Sequence, residues 1–285
     1  DCHGHGTHVA STAVGTSYGV ATDALVVPVR VLDCSGEGSE IDVLAGLEYI
    51  ANYPLNGKRA VVNMSLGGSA SETLDSAVAR LVSFGIVIVV AAGNDTKPAC
   101  EVSPAREPTA ITVGATDSSD VRASFSNFGT CLDIFAPGYD IEGASSNPSY
   151  DHVTKSGTSM ASPHVAGAVA IALTSFPSAI PAQIINLLNT DATSGVVIDA
   201  GVGSPNRLLM VAGTNLSVET SPAVMRPINP LRIIDTRNGE GGVPVRKVGG
   251  DYVLEVQIAG RNGVSTIGVT AVSLNITATN AEGSG

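Results

Sequence analysis

Three side chains in widely separated stretches of the 285-residue sequence carry the chemistry of nucleophilic acyl transfer. His5 lies between two glycines in Gly4-His5-Gly6-Thr7-His8-Val9-Ala10, and an imidazole that titrates near neutrality can serve as a general base. Ser159 stands in Gly157-Thr158-Ser159-Met160-Ala161-Ser162-Pro163-His164 and opens an apolar run through Leu173. A hydroxyl at a helix entrance meets unpaired N–H groups and the positive end of the helix dipole, which suits a group that attacks and creates an oxyanion. Asn94 closes Ala91-Ala92-Gly93-Asn94, and its carboxamide can donate to that oxyanion with the Ser159 N–H as second donor.

Each residue also has a plainer reading. Ser159 could be a helix cap, and an Asn after Gly is often only a turn former. His5 and His8 could ligate a metal, but no glutamate sits between them to complete the H-E-x-x-H pattern. His8, inside the helix, reads as structural, and His3 and His152 read as surface residues.

These three side chains need elements to hold them. The runs Val26 to Leu32, Ala60 to Leu66, Ile86 to Ala92 and Ala110 to Val113 are rich in β-branched residues and predict buried strands. Glu40 to Asn52 and Ser71 to Phe84 place apolar residues at helical spacing, the second with a start at Ser71-Glu72. The helix opened by Ser159 is apolar all round and must be buried, with Pro163 in its opening turn. Strand and helix in alternation imply right-handed crossovers and a mainly parallel sheet covered on both faces, with the cleft at the carboxyl ends of its strands.

Composition narrows the function classes. The net charge is -11 and no run of Lys or Arg occurs, which argues against a nucleic-acid partner. The acidity fits a solvated surface or the binding of a cation. No uninterrupted apolar stretch reaches the roughly 18 residues a membrane span requires. Cys2, Cys34, Cys100 and Cys131 contain no C-x-x-C pair, so two disulfides are expected rather than a zinc cluster, and disulfides favour a secreted protein. The residues alone leave the pairing open.

The blocks HGTHVA, SLGG, AAGN and GTSMASPHVAG, in that order, resemble subtilisin-type serine proteases. Further blocks, DCHGHGTHVA, VRVLDCSGEGS, NMSLGG, SPAREP, RASFSNFGTCLDIFAPG and GSPNRLL, are similar to the proteinase K branch and, within it, to aqualysin. The resemblance spans residues 1 to about 213 and implies a three-layer α/β/α fold. It implies His5 as general base and acid, Ser159 as nucleophile and Asn94 as oxyanion donor. Ser65, Leu66 and Gly67 would bind substrate backbone as an added strand, and Ala91, Ala92 and Gly93 would line the pocket before the scissile bond. It implies polypeptide substrates and an N-terminal propeptide, with no catalytic cofactor. A structural Ca²⁺ would sit on the carbonyls of Pro108 and Ala110 and the carboxylate of Asp133, the alternative for Asp133 being a loop hydrogen bond. The resemblance also pairs Cys2 with Cys34 and Cys100 with Cys131. Closing about 31 intervening residues contributes roughly 3 to 4 kcal/mol when unstrained. A monomer is expected.

The family's catalytic aspartate belongs in a strand end upstream of the histidine, and its motif is expected before Asp1. Asp1 itself, four positions before His5 at a helix mouth, is not placed to reach the far side of the imidazole. A chain of these 285 residues alone is therefore expected to be nearly inactive. Its opening at Asp1-Cys2-His3 reads as that of a fragment or processed product.

Residues 214–222 have a linker's composition, and 223–285 read as a small β-rich domain, expected to be cut short at Gly283-Ser284-Gly285. Pro230 to Arg237 and Gly268 to Ala278 resemble a β repeat of secreted bacterial proteins, and Asn275-Ile276-Thr277 is formally a glycosylation acceptor. A reading from another class is a non-catalytic protease-fold scaffold that displays this tail. A lipase-type hydrolase is disfavoured because Ser159 lacks the G-x-S-x-G elbow.

Overall fold

A computed structural model of the chain describes residues 1–147 and 149–211. The sequence-based linker at 214–222, the β-rich domain at 223–285 and the Asn275 acceptor lie outside the described residues.

The chain runs α1 (His5–Val14), α2 (Glu40–Ala51), β1 (Val61–Met64), β2 (Gly68–Ser69), α3 (Glu72–Ser83), β3 (Val87–Ala91), β4 (Val102–Ser103) and β5 (Ile111–Thr116). It continues with β6 (Ile134–Pro137), β7 (Ile141–Ala144), β8 (His152–Lys155), α4 (Thr158–Ser175), α5 (Pro181–Asp191), β9 (Thr193–Ser194) and β10 (Arg207–Leu208). The main sheet has six strands in the order β1-β3-β5-β6-β10-β9. Every neighbouring pair is parallel except β10 with β9. Two small antiparallel pairs, β2 with β4 and β7 with β8, stand beside it.

The all-apolar strand β3 follows from burial on both faces. Val87 and Val89 face one core cluster with Val165, Val169 and Ile184 of α4 and α5, while Ile88 and Val90 face another with Val43, Leu47, Val78 and Leu81 of α2 and α3. With side chains alternating across the pleat, a strand covered on both faces has no polar face to show. The result is the three-layer α/β/α arrangement. The flanking helices start where polar side chains satisfy their free N–H groups: Ser39 and Asp42 form a capping box on α2, and Ser71 accepts from Leu74 N on α3.

One expected strand is absent. Val26 to Leu32 pairs with no strand among the described residues, and Leu25, Val26 and Val27 are exposed by 79%, 47% and 45%. Hydrophobic pattern alone cannot supply the ladder partner that a strand requires. The run is instead held by side chains, since a Cβ added at Gly46 of α2 would stand 2.6 Å from Val31 Cγ1 and 3.3 Å from Val29 Cγ1. Pro163 lies inside α4 rather than in its opening turn. Two disulfides, Cys2–Cys34 and Cys100–Cys131, each span 5.2 Å between Cα atoms. Among the described residues no helix is long and apolar enough to cross a membrane.

Candidate active site

His5 is the first residue of α1, and Gly4 before it adopts the left-handed conformation at φ 82°. Gly4 has no side chain to cap the helix, and Asp1 takes that part. Its Oδ1 accepts from His3 N at 3.2 Å and Gly4 N at 3.0 Å, and its Oδ2 accepts from Thr7 N at 2.7 Å and Thr7 Oγ1 at 3.0 Å. The carboxylate of Asp1 is thus occupied with the helix entrance.

The His5 ring is half-buried and makes no hydrogen bond among the described residues. Burial lowers its pKa below 6.5, and the charges of Lys155, His3 and His8 lower it further. Such an imidazole is neutral at pH 7 and free to take a proton. His8 is fully buried and its Nε2–H donates to Ile141 O at 2.9 Å, so it is a structural histidine. His3 and His152 are exposed.

Ser159 is the second residue of α4, whose N-cap is Gly157 with no side-chain cap. Ser159 is not a capping serine. Its hydroxyl donates to Ser65 O at 3.3 Å, and its carbonyl accepts from Ser65 Oγ at 2.7 Å. That carbonyl is available because the residue four positions on is Pro163, which has no N–H to close the helical bond. Ser65 is steadied by Asn63, whose Nδ2 donates to Ser65 Oγ at 3.0 Å, while Asn63 Oδ1 accepts from buried Ser162 Oγ at 2.7 Å. The end of β1 and the start of α4 are therefore locked together around the hydroxyl.

The helices α1 and α4 pack on each other in the same direction. His164 feels the charge of His8, and a Cβ on Gly167 would stand 2.8 Å from Ala13 O, so contacts advance along both helices together. Their N-terminal ends, which carry His5 and Ser159, lie at the same end of the pair.

The Asn94 carboxamide is oriented by Thr158. Its Oδ1 accepts from Thr158 N at 2.8 Å and Thr158 Oγ1 at 2.9 Å, which leaves the amide N–H groups for another acceptor. Thr158 Oγ1 also accepts from Gly93 N at 3.1 Å. A Cβ on Gly157 would stand 3.6 Å from Asn94 Nδ2 and 3.7 Å from Ser159 N, so both donors border the one space that this glycine leaves open. An oxygen placed there would meet two N–H groups that need no reorganisation.

Ser65, Leu66 and Gly67 follow β1 as a half-buried to exposed run that pairs with no strand among the described residues. Ala91 and Ala92 are buried at the end of β3, and Gly93 is the more accessible of the three. The roles of Thr158, Asn63 and Ser162 were not read from sequence, although all three lie in or beside quoted motifs. Their signal is a small polar residue next to the nucleophile or at a buried strand end.

Away from these groups, Asp133 is largely buried, and burial raises its carboxyl pKa to about 6. Its Oδ2 accepts from Thr112 N at 2.8 Å, and Oδ1 takes no hydrogen bond among the described residues. The Pro108 carbonyl likewise accepts none. Among the described residues no cluster of three or more His, Cys, Asp or Glu side chains could hold a metal, so a cation here would depend on carbonyls. A largely buried carboxylate with one oxygen that takes no hydrogen bond among the described residues fits a hard, oxygen-seeking ion.

The model of the subtilase family matches residues 1–219. The chain is 55% identical over 209 residues to the extracellular serine proteinase of Thermus sp. (strain Rt41A), covering 73% of this chain and 50% of that protein. It is 49% identical over 209 residues to alkaline serine exoprotease A of Vibrio alginolyticus, covering 73% of this chain and 38% of that protein. The chain thus spans half or less of the length of these two curated relatives. A crystal structure of a cold adapted subtilisin-like serine proteinase superposes with a TM-score of 0.71 at 47% identity, covering 75% of this chain and 76% of that one.

Proposed function

This chain belongs to the subtilase family of serine peptidases, and on that premise we propose that it is a secreted endopeptidase that cleaves polypeptides through an acyl-enzyme on Ser159. The observation that carries the reading is the pair of donors, Asn94 Nδ2 and Ser159 N, bordering one space at the start of a buried helix, with His5 at the same end of the adjacent helix.

In this reading the Ser159 hydroxyl leaves Ser65 O for the His5 imidazole when substrate arrives. Catalytic hydrogen bonds of empty sites commonly tighten only in the complex. His5 takes the proton and later returns it to the leaving amine, and the developing oxyanion settles between Asn94 Nδ2 and Ser159 N. The run Ser65 to Gly67 supplies backbone groups to an extended substrate, and Ala91, Ala92 and Gly93 shape the pocket for the side chain before the cleaved bond. No catalytic cofactor is required. Pro108, Ala110 and Asp133 would hold a structural Ca²⁺, whose charge would favour the ionised Asp133 carboxylate. Secretion is supported by two disulfides and by the extracellular Thermus relative. A propeptide and a monomeric state belong to the same proposal.

No carboxylate hydrogen-bonds the His5 ring among the described residues. In a related subtilisin, loss of the triad aspartate alone lowers turnover by roughly 3 × 10⁴. A site whose imidazole has no such partner would turn over slowly while keeping its nucleophile.

A fluorophosphonate probe tests the reading. Peptide mapping should place the adduct on Ser159, and Ser159→Ala should abolish it. Labelling that survives in Ser159→Ala, or that maps to another serine, would overturn the assignment and favour a non-catalytic scaffold.

A further inference from the structure

We propose that Asn127 is a positioning residue of the oxyanion hole: it fixes the loop that aims the Asn94 amide without itself touching substrate. The inference rests on the reading of Asn94 as an oxyanion donor.

Asn127 is completely buried, and both polar ends of its carboxamide are used. Its Nδ2 donates to Ala92 O at 2.8 Å, and its Oδ1 accepts from Asp95 N at 3.0 Å and Lys97 N at 3.1 Å. Its backbone N–H donates to Gly93 O at 3.0 Å. One residue therefore binds the two positions before Asn94, the position after it and the position three beyond it.

Asn127 is itself anchored to the sheet. Neighbouring Ser126 accepts from Ala115 N of β5 at 3.0 Å and donates to Asn127 O at 3.0 Å. The line of rigid bonds thus runs from the central sheet through Asn127 to the Asn94 loop, while Thr158 grips the Asn94 amide from the other side. Gly93 has a second reason to be glycine beyond its φ of 101°: any Cβ there would collide with Asn127 Nδ2.

An oxyanion donor works only if it is held where charge will appear, and a displacement of about 1 Å can cost on the order of a hundredfold in rate. Asn127→Asp keeps an acceptor for Asp95 N and Lys97 N but removes the donor to Ala92 O. Asn127→Ser, which removes most of the splint at lower risk of a buried charge, reads the same effect if the aspartate variant does not fold.

The test is a double-mutant cycle on single-turnover acylation of Ser159 by an activated peptide ester, in the whole 285-residue chain, with melting curves confirming folded protein at the assay temperature. Asn127→Asp should slow acylation by about tenfold to a hundredfold with ester binding unchanged. In an Asn94→Ala background the same change should cost less than about threefold, because the group being aimed is gone. Equal costs in both backgrounds, or a loss that appears in ester binding rather than in rate, would overturn the role of Asn127 alone. If Asn94→Ala does not slow acylation at all, the oxyanion reading fails and this inference fails with it.

Discussion

The loop that carries Asn94 and the turn that carries His5 are built to different standards. Around Asn94, Thr158 and Asn127 bind the amide oxygen and five flanking backbone groups at 2.8 to 3.1 Å. At His5 the helix entrance is equally well tied down through Asp1, yet the ring makes no hydrogen bond among the described residues and lies near Lys155, His3 and His8. The difference teaches that, among the described residues, the proposed oxyanion side of the site has its supporting bonds in place, whereas no anion among them orients the His5 ring.

Several substitutions break or sharpen this contrast. Ser159→Ala carries the largest effect, complete loss of covalent labelling. Asn94→Ala should slow acylation by about 10² to 10³, as measured by stopped flow, because one of two fixed donors is lost. His5→Ala should cost less, on the order of 10 to 100, because no carboxylate among the described residues orients the ring and in a related subtilisin most of the triad's effect goes with its aspartate. The reverse order of these two losses would show that the imidazole is well oriented after all and would erase the contrast.

The pH profile gives a smaller effect with a defined sign. Burial and cationic neighbours depress the His5 pKa, so its neutral, proton-accepting form persists below pH 6.5. Acylation should stay level at neutral pH and fall only as pH drops through a midpoint below 6.5, and His5→Ala should remove that step. An inflection above 6.5 would mean that an anion faces the ring. The smallest effect concerns stability: Ca²⁺ at a hundredfold excess over its Kd should raise the melting temperature by about 5 °C or more, and Asp133→Asn should abolish the shift.

How much of this could be read from the residues depends on where each signal resides. The strand β3 was legible because burial on two faces writes itself as an unbroken β-branched run, α2 was legible from its spacing, and α3 from its spacing and its start at Ser71. Val26 to Leu32 carries the same run without a pairing strand among the described residues, and composition cannot distinguish the two cases. The glycine-flanked His5, Ser159 and Asn94 stood out as reactive types at element boundaries. Thr158 and Asn127 did not, since their significance lies in bonds to a loop 30 or more residues away in sequence. The short strands β7 to β10 carry too few residues for a period to show.

The most direct test of the site is a crystal structure of the chain with a peptidyl boronate or phosphonate bound to Ser159 Oγ. The expected result is an adduct oxygen within hydrogen-bond distance of both Asn94 Nδ2 and Ser159 N, with the His5 ring facing Ser159 Oγ. An adduct oxygen pointing into solvent with Asn94 swung away, or an imidazole walled off from the serine, would contradict the convergence of these three groups.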